Sequence, residues 1–454
     1  LSVRLPTLGP PPSGGWRGRL RAWRDDRFLR RVAVLSSGTI AGQLVLVLAT
    51  PLLTRLYTPA EFGAFAVFSA LTAILGTVMC LRYEQAVPLV AAADVAPMIG
   101  VSILAALVLS ALLAGLVAAF GPALAALVGA PELAALLWLV AVVMLLWGLT
   151  LPLAFASIRR GAFRANALNK TLQLGSQAAG QLGLGLVGGG LAGLVVGYSV
   201  GYVVRLGHFL AILEPAEWRR LAAVRLRRLG QLARAHRAYP LLATPAALLQ
   251  ASTQMLPTML VALLYGPAMA GWFGLAQRIL ELPVRLLGMT TSQVFLTEIA
   301  RSDPGAVYRL FVTTARRFLV LGLLGMAPLL LLGPWLFALI FGEEWRTAGI
   351  LVQCLVLAQL ARFVVMPVSQ VLNVLQRQDL HLFAAGLNLL AMAASFAAGW
   401  WLGLGAIPVV LLFSLGSALA WLVYFLLARR IARARAQAPA APTGPAPVPP
   451  AEVD

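Results

Sequence analysis

The chain has 454 residues, 60% of them apolar and 11% charged, with a formal net charge of +19. Soluble domains carry roughly 25% charged residues, so an ordinary soluble enzyme and a large water-exposed domain are both excluded. At about twenty apolar residues per bilayer crossing, the apolar content covers about a dozen spans with little left over.

Residues 1–31 are polar, basic and rich in Pro and Gly, with Arg17, Arg19, Arg21, Arg24, Arg27, Arg30 and Arg31 interleaved with Trp16, Trp23 and Phe28. Two readings stand: an arm lying on anionic lipid, and a solvated tail whose charge sets topology. The first apolar stretch, from about Val32, is long enough to span and has no signal-peptide cleavage pattern. Twelve spans follow, near 32–53, 63–81, 97–120, 133–157, 171–189, 190–213, 240–263, 268–292, 318–341, 347–375, 382–402 and 405–428. The longest connection, 214–239, is basic. The chain closes on a basic stretch and a Pro/Ala-rich tail over 429–454, whose composition predicts disorder.

Orientation follows from the basic residues. With the N-terminus cytoplasmic, 29 of the 35 Lys and Arg fall in cytoplasmic segments. The outer loops hold only Arg55 and Arg346. Four arginines remain inside spans: Arg205, Arg278, Arg285 and Arg362. The positive charge is thus an orientation code, and no nucleic-acid partner is needed to explain it.

An internal repeat organises the spans. LYTPAEFGAF at 56–65 and LYGPAMAGWF at 264–273 share six of ten positions at an offset of 208. GPALAALVGAPE at 121–132 and GPWLFALIFGEE at 333–344 share six of twelve at an offset of 212. Pro152 and Pro367 form a weaker third pair. Six spans per copy put both copies in the same orientation, which is a parallel repeat. The predicted fold is therefore all-α and polytopic: about twelve transmembrane helices in two parallel-repeat six-helix bundles around a central cavity. Its divisions are a basic cytoplasmic arm (1–31), a first bundle (32–213), a basic cytoplasmic linker (214–239), a second bundle (240–428) and the tail (429–454). Two bundles that rock against each other make alternating access the natural mode of action.

The run GTIAGQLVLVLATPLLTRLYTPAEFGAFAVFSAL (38–71) with LRYEQA (81–86) closely resembles polysaccharide-biosynthesis flippases of the multidrug/oligosaccharidyl-lipid/polysaccharide superfamily. The segment LIFGEEWRTAGILVQCLVLAQLARFVVMPVSQVLNVLQRQ (339–378) is similar to the matching stretch of their second half. The resemblance implies export of lipid-linked diphosphate oligosaccharides across the cytoplasmic (inner) membrane, for polysaccharide or O-antigen-type polymers. The implied partners are that lipid-linked oligosaccharide, membrane lipids and polysaccharide assembly proteins. Both termini are expected to be cytoplasmic.

A diphosphate head moving through hydrocarbon needs fixed cations and hydrogen-bond donors in place of its water. Intramembrane charges cost at least about 2.5–3.5 kcal/mol each on insertion scales, which makes them functional candidates. Arg278, Glu281 and Arg285 are spaced i, i+3 and i+7 and share one helix face; at 1.5 Å per residue, Arg278 sits about 15 Å deep. Two readings stand: a cationic patch in which Glu281 orients the arginines, and a self-neutralising triplet that locks packing. Arg362 shares a face with Gln359 at i−3, and either lines the cavity or makes an interhelical contact. Arg205, with His208 at i+3, lies near the cytoplasmic end, where snorkelling is open to it. The first and seventh spans, equivalent in the repeat, carry polar clusters that include Gln43 and Gln254; cavity lining and small-polar helix packing explain these equally. Arg82 and Glu84 read as a local ion pair at the cytoplasmic rim, or as a gate between bundles.

Cys80 and Cys354 are far apart, and His208, His236 and His381 are scattered, so neither a disulfide framework nor a metal site is expected. No cofactor and no catalytic residue are predicted. A membrane glycosyltransferase or polymerase needs a sizeable external loop with acidic or histidine groups; the outer loops here offer only Glu61, Glu132, Glu343 and Glu344. The alternative within the same architecture is a cation-coupled multidrug exporter. Against it, Glu281 is the only acid deep in a span, and two arginines flank it.

Overall fold

The computed structural model describes residues 27–284, 295, 299, 304–374 and 377–437. Every regular element among them is helical. The order is α1 (Arg27–Leu56), α2 (Pro59–Gly76), α3 (Val95–Leu127), α4 (Trp138–Arg159), α5 (Phe163–Leu186), α6 (Gly190–Ala211), α7 (Pro215–Ala222), α8 (Leu226–Ala235), α9 (Thr244–Tyr265), α10 (Pro267–Pro283), α11 (Pro304–Phe341), α12 (Arg346–Val368), α13 (Gln370–Val374), α14 (Gln378–Trp401) and α15 (Ala406–Gln437). Ten stretches among the described residues are long and apolar enough to cross a membrane. The chain is an all-α multi-pass membrane protein.

The two remaining expected spans have specific reasons for falling outside that ten. The fifth is α5, a full 24 residues long, but Asn166, Asn169, Lys170, Gln173, Gln177 and Gln181 lower its hydropathy. The eighth begins as α10, and the description stops at Val284, partway along it. The basic connection 214–239 contains two short helices, α7 and α8. In α8, Leu229 and Leu232 are buried while the arginines face outward, an amphipathic pattern that docks the helix on the rest of the first unit. Helix α11 starts at Pro304, well before the expected 318, and at 38 residues is about 57 Å long, longer than the ~30 Å hydrocarbon core. The arm (1–26), Arg285 and the tail beyond 437 lie outside the described residues.

The chain divides into two compact units. The first holds residues up to Thr50, Leu75–Ala119 and Trp138–Ala247; the second holds Pro51–Ile74, Phe120–Leu137 and the chain from Leu248 onward. Helices therefore pass from one unit to the other. Helix α1 does so at Pro51, an internal helix proline, and α3 does so beside Gly121–Pro122. Proline removes one helical hydrogen bond and crowds the preceding turn, so these crossings coincide with the helices' natural points of bending.

Inside the first unit, an apolar cluster ties together Tyr83, Val87, Met98, Ile99, Leu153, Phe209, Leu229 and Leu232. Polar contacts gather three connections at the same end. Arg159 donates to the carbonyls of Val87 (3.1 Å), Pro88 (3.0 Å) and Val90 (2.6 Å). Arg160 pairs with Glu217, and Arg228 pairs with Asp94 at 2.6 Å. The segments 77–94, 159–163 and 211–239, which the charge pattern puts on one side of the membrane, do meet at one end of this unit.

Inside the second unit, the hairpin 51–74 packs against α10 through two glycines. A Cβ built on Gly63 would stand 1.6 Å from the Pro267 carbonyl oxygen, and one on Gly271 would stand 1.9 Å from that of Pro59. No side chain fits at either place. The contact is reciprocal, and its four residues are the Pro and Gly shared by the two LY-P-A motifs. Trp345 fixes the same region: it is 1% exposed, its Nε1 donates to the Thr54 carbonyl at 3.0 Å, and Phe62 packs edge-on against its ring. The second motif pair also behaves alike. Each GP sits within the last turns of a long helix, followed by a left-handed glycine (Gly129, φ 72°; Gly342, φ 108°) and a short 3-10 turn.

Candidate functional site

In the second unit, α9, α10, α12, α14 and α15 surround a cavity of about 350 Å³. Polar side chains line it from every one of these helices. Helix α9 contributes Gln250, Thr253 and Gln254, α10 Gln277 and Glu281, α12 Gln359 and Arg362, α14 His381 and Asn388, and α15 Ser417 and Tyr424. The spacing explains the placement. Gln250 to Gln254 and Gln277 to Glu281 are each i, i+4, and Gln359 to Arg362 is i, i+3, so each pair holds one helix face.

The charges in this cavity are balanced. The Arg362 guanidinium lies 3.5 Å from Glu281 Oε1, with side chains 28% and 19% exposed. Tight charge-assisted N–H···O bonds run about 2.7–2.9 Å, so the arginine is held without being saturated. Gln359 is 8% exposed, and its amide oxygen has no hydrogen-bond partner among the described residues. On the opposite wall the His381 Nδ1 and the Tyr424 hydroxyl lie 2.5 Å apart. Across α9 and α10, Thr258 donates to the Gln277 side-chain oxygen at 3.3 Å. Such an arrangement offers a guanidinium, a carboxylate and several amides to a polar group in a site walled by membrane helices.

The structure brings Gln254, Glu281, Gln359 and Arg362 to this one cavity. Arg278 is half-buried on α10 beside Gln277. Arg285 lies outside the described residues. Gln43 is half-buried on α1, in the first unit. Glu281 reaches across to Arg362 on α12, a pairing that no intrahelical spacing reveals.

A second polar system in the first unit was not singled out from sequence. Gln173, Gln177 and Gln181 recur every fourth residue on α5, and all three are at most 3% exposed. Gln181 donates to the Leu194 carbonyl at 3.0 Å, Arg205 donates to Gln173 at 3.2 Å, and Asn169 donates to the Arg205 carbonyl at 2.8 Å. Lys170 also donates to Gln173, at 3.1 Å. The α5–α6 seam is closed by glycine: a Cβ on Gly197 would meet the Gln181 amide nitrogen at 2.5 Å, and one on Gly201 the Gln173 carbonyl oxygen at 2.7 Å. The i, i+4, i+8 glutamine stripe was visible in the sequence as a polar face on a supposedly apolar span. Asn388 and Tyr424 gave no comparable signal, because each is isolated in its own apolar run, and His381 follows the polar string RQD at 377–379, where nothing marks it as facing a cavity.

At the end of the first unit, Glu84 is 1% exposed and lies 3.8 Å from Arg82, the local pair that the RYEQ string indicates. Leu81 (φ 49°) and Arg82 (φ 61°) both adopt the left-handed region, which bulky residues rarely do. Burial pushes the Glu84 carboxyl above its usual range, against the pull of its backbone hydrogen bond and of Arg82.

The sequence model for a family described as "Polysaccharide biosynthesis protein" matches residues 52–349. A comparison with curated proteins finds none that matches. Among solved structures, the chain is similar to a lipid II flippase in an inward closed conformation, with a TM-score of 0.69, 13% identity, and coverage of 87% of this chain and 86% of that one. It is similar to a MOP superfamily transporter from Pyrococcus furiosus (0.56; 16%; 90% and 96%). It is also similar to an inward-facing multidrug resistance MATE family transporter of that superfamily (0.57; 15%; 89% and 95%). At these identities the likeness is one of fold.

Proposed function

The chain belongs to the polysaccharide biosynthesis protein family, and from that premise we propose that it moves lipid-linked diphosphate oligosaccharides across the cytoplasmic membrane by alternating access. The observation that carries the reading is the loosely held Arg362 in a polar cavity of the second unit. An incoming phosphate competes with Glu281 for the guanidinium, because Arg presents a fork of donors that matches an oxyanion. Gln254 and Gln359 offer hydrogen bonds to the sugar or phosphate oxygens. At about 350 Å³ the cavity takes a part of the head group, and the lipid tail stays in the bilayer. Arg278 and Arg285 extend the cationic surface in this reading, and Gln43 is a further candidate contact for the head group.

The proposal includes the topology that the charge pattern supports. Both termini face the cytoplasm, and two parallel six-helix repeats flank the basic segment 214–239. The reciprocal packing of Gly63 and Gly271 is what two equivalent motifs produce when related by a two-fold axis, and it supports the repeat. The partners that fit are the enzymes that assemble and polymerise the sugar chain.

One observation favours the second reading, a cation-coupled multidrug exporter: Glu281 does line the cavity, and a carboxylate is the group that binds a cation or a proton. Depletion of the protein separates the two. The flippase reading predicts that lipid-linked precursor accumulates on the cytoplasmic leaflet; unchanged precursor with altered dye resistance selects the exporter.

A further inference from the structure

A larger cavity lies away from the site described above, at the end of the first unit where its three connections meet. It measures about 830 Å³, within the ~300–1,000 Å³ range of small-molecule sites. Its walls are apolar: Val95 and Ile99 from the start of α3, Leu153 from α4, Leu213, and Leu221 and Val224 from the α7–α8 segment. Its rim is basic, with Arg159, Arg160, Arg220, Arg225 and Arg228 set against Glu217.

These arginines are not equivalent. Arg159 is taken up by three carbonyls, Arg160 by Glu217 and Arg228 by Asp94. Together they hold α7 and α8 in place over the opening. Arg220 and Arg225 stand exposed on the rim. An apolar chamber with cationic groups at its mouth suits an amphiphile with an anionic head, and neither half of it suits a free anion or a neutral lipid. Basic pockets between membrane helices on the cytoplasmic side are where anionic head groups bind.

We propose that this cavity is a binding site for an anionic phospholipid of the bilayer, with acyl chain against Ile99, Leu153 and Val224 and phosphate on Arg220 and Arg225. The bound lipid bridges α3, α4 and the α7–α8 segment, and so braces that segment against the first unit.

The test uses the purified full chain, with native mass spectrometry to count retained lipid and thermal unfolding to read stability. The probes are phosphatidylglycerol, phosphatidylcholine and inorganic phosphate. Phosphatidylglycerol is expected to remain bound and to raise the melting temperature, and the other two are not. The double variant Arg220→Gln/Arg225→Gln should weaken phosphatidylglycerol about thirtyfold, since each surface arginine contributes roughly fivefold toward an anionic leaflet. Ala223→Trp, at an exposed wall position, should block the chamber with the rim charges intact. Equal retention of phosphatidylcholine, stabilisation by phosphate alone, or undiminished phosphatidylglycerol binding in both variants would overturn the proposal.

Discussion

Each compact unit contains an arginine within its helices, and the two are treated differently. Arg205 in the first unit has a neutral partner: Gln173 accepts from its guanidinium, its Nε has no hydrogen-bond partner among the described residues, and glycines bring α5 and α6 into close packing around the pair. Arg362 in the second unit faces a cavity and meets a carboxylate at 3.5 Å. A neutral amide partner offers no charge for an incoming anion to replace. A carboxylate partner makes a contact that another anion replaces like for like. The contrast supports the proposed function, in which the first polar system is structural and the second meets the substrate.

The largest predicted effect follows from that assignment. Arg362→Glu places two carboxylates together and should lower polymer export by at least about a hundredfold, close to 2.7 kcal/mol, with membrane insertion intact. Arg205→Met should leave export within about twofold and stability within about 1 kcal/mol, because well-packed apolar replacements of buried charges are often neutral. Loss of export in both variants, measured alongside protein level, breaks the distinction.

Packing gives the next effect. Gly197→Leu forces a side chain into the Gln181 backbone and should destabilise the first unit by about 1–3 kcal/mol, read as a lower melting temperature. A smaller shift tests the cavity itself. Gln359→Met removes an amide oxygen that lacks a partner among the described residues; stability should rise by up to about 1 kcal/mol while export falls. A variant that gains stability with full export would show that Gln359 does not touch the substrate.

The smallest effect concerns a buried acid in the first unit, Glu84, beside Arg82. Burial raises the Glu84 carboxyl in the folded protein, so folding favours its neutral form. Its contribution to stability is greatest at low pH and falls as pH rises from the ordinary carboxylate value toward the raised one. Glu84→Gln should flatten the pH dependence of melting over that window and be no less stable than the parent at neutral pH. An unchanged pH profile would contradict this.

The membrane-spanning pattern and the paired motifs were legible because bilayer thickness and turn chemistry act locally. Pro59 and Pro267 each begin a helix just after a turn, and both GP strings precede left-handed glycines. Cavity residues were legible where two polar groups share a helix face, as in Gln359 with Arg362. What sequence could not supply was the partner on another helix. Glu281 meets Arg362, 81 residues away, and His381 meets Tyr424 from a different helix. Helix extent was also hard to read at the membrane edge, since nothing in the composition of 304–317 stops α11 from continuing past the hydrocarbon.

The most direct test of the central claim is leaflet exchange in proteoliposomes. The purified chain is reconstituted with a fluorescent lipid-linked diphosphate oligosaccharide, and the rate at which the probe becomes accessible to an outside quencher is measured. The account predicts rapid exchange with the parent chain, the background rate with Arg362→Glu, and near-parent exchange with Arg205→Met. Background exchange with the parent chain, or parent-like exchange with Arg362→Glu, would contradict it.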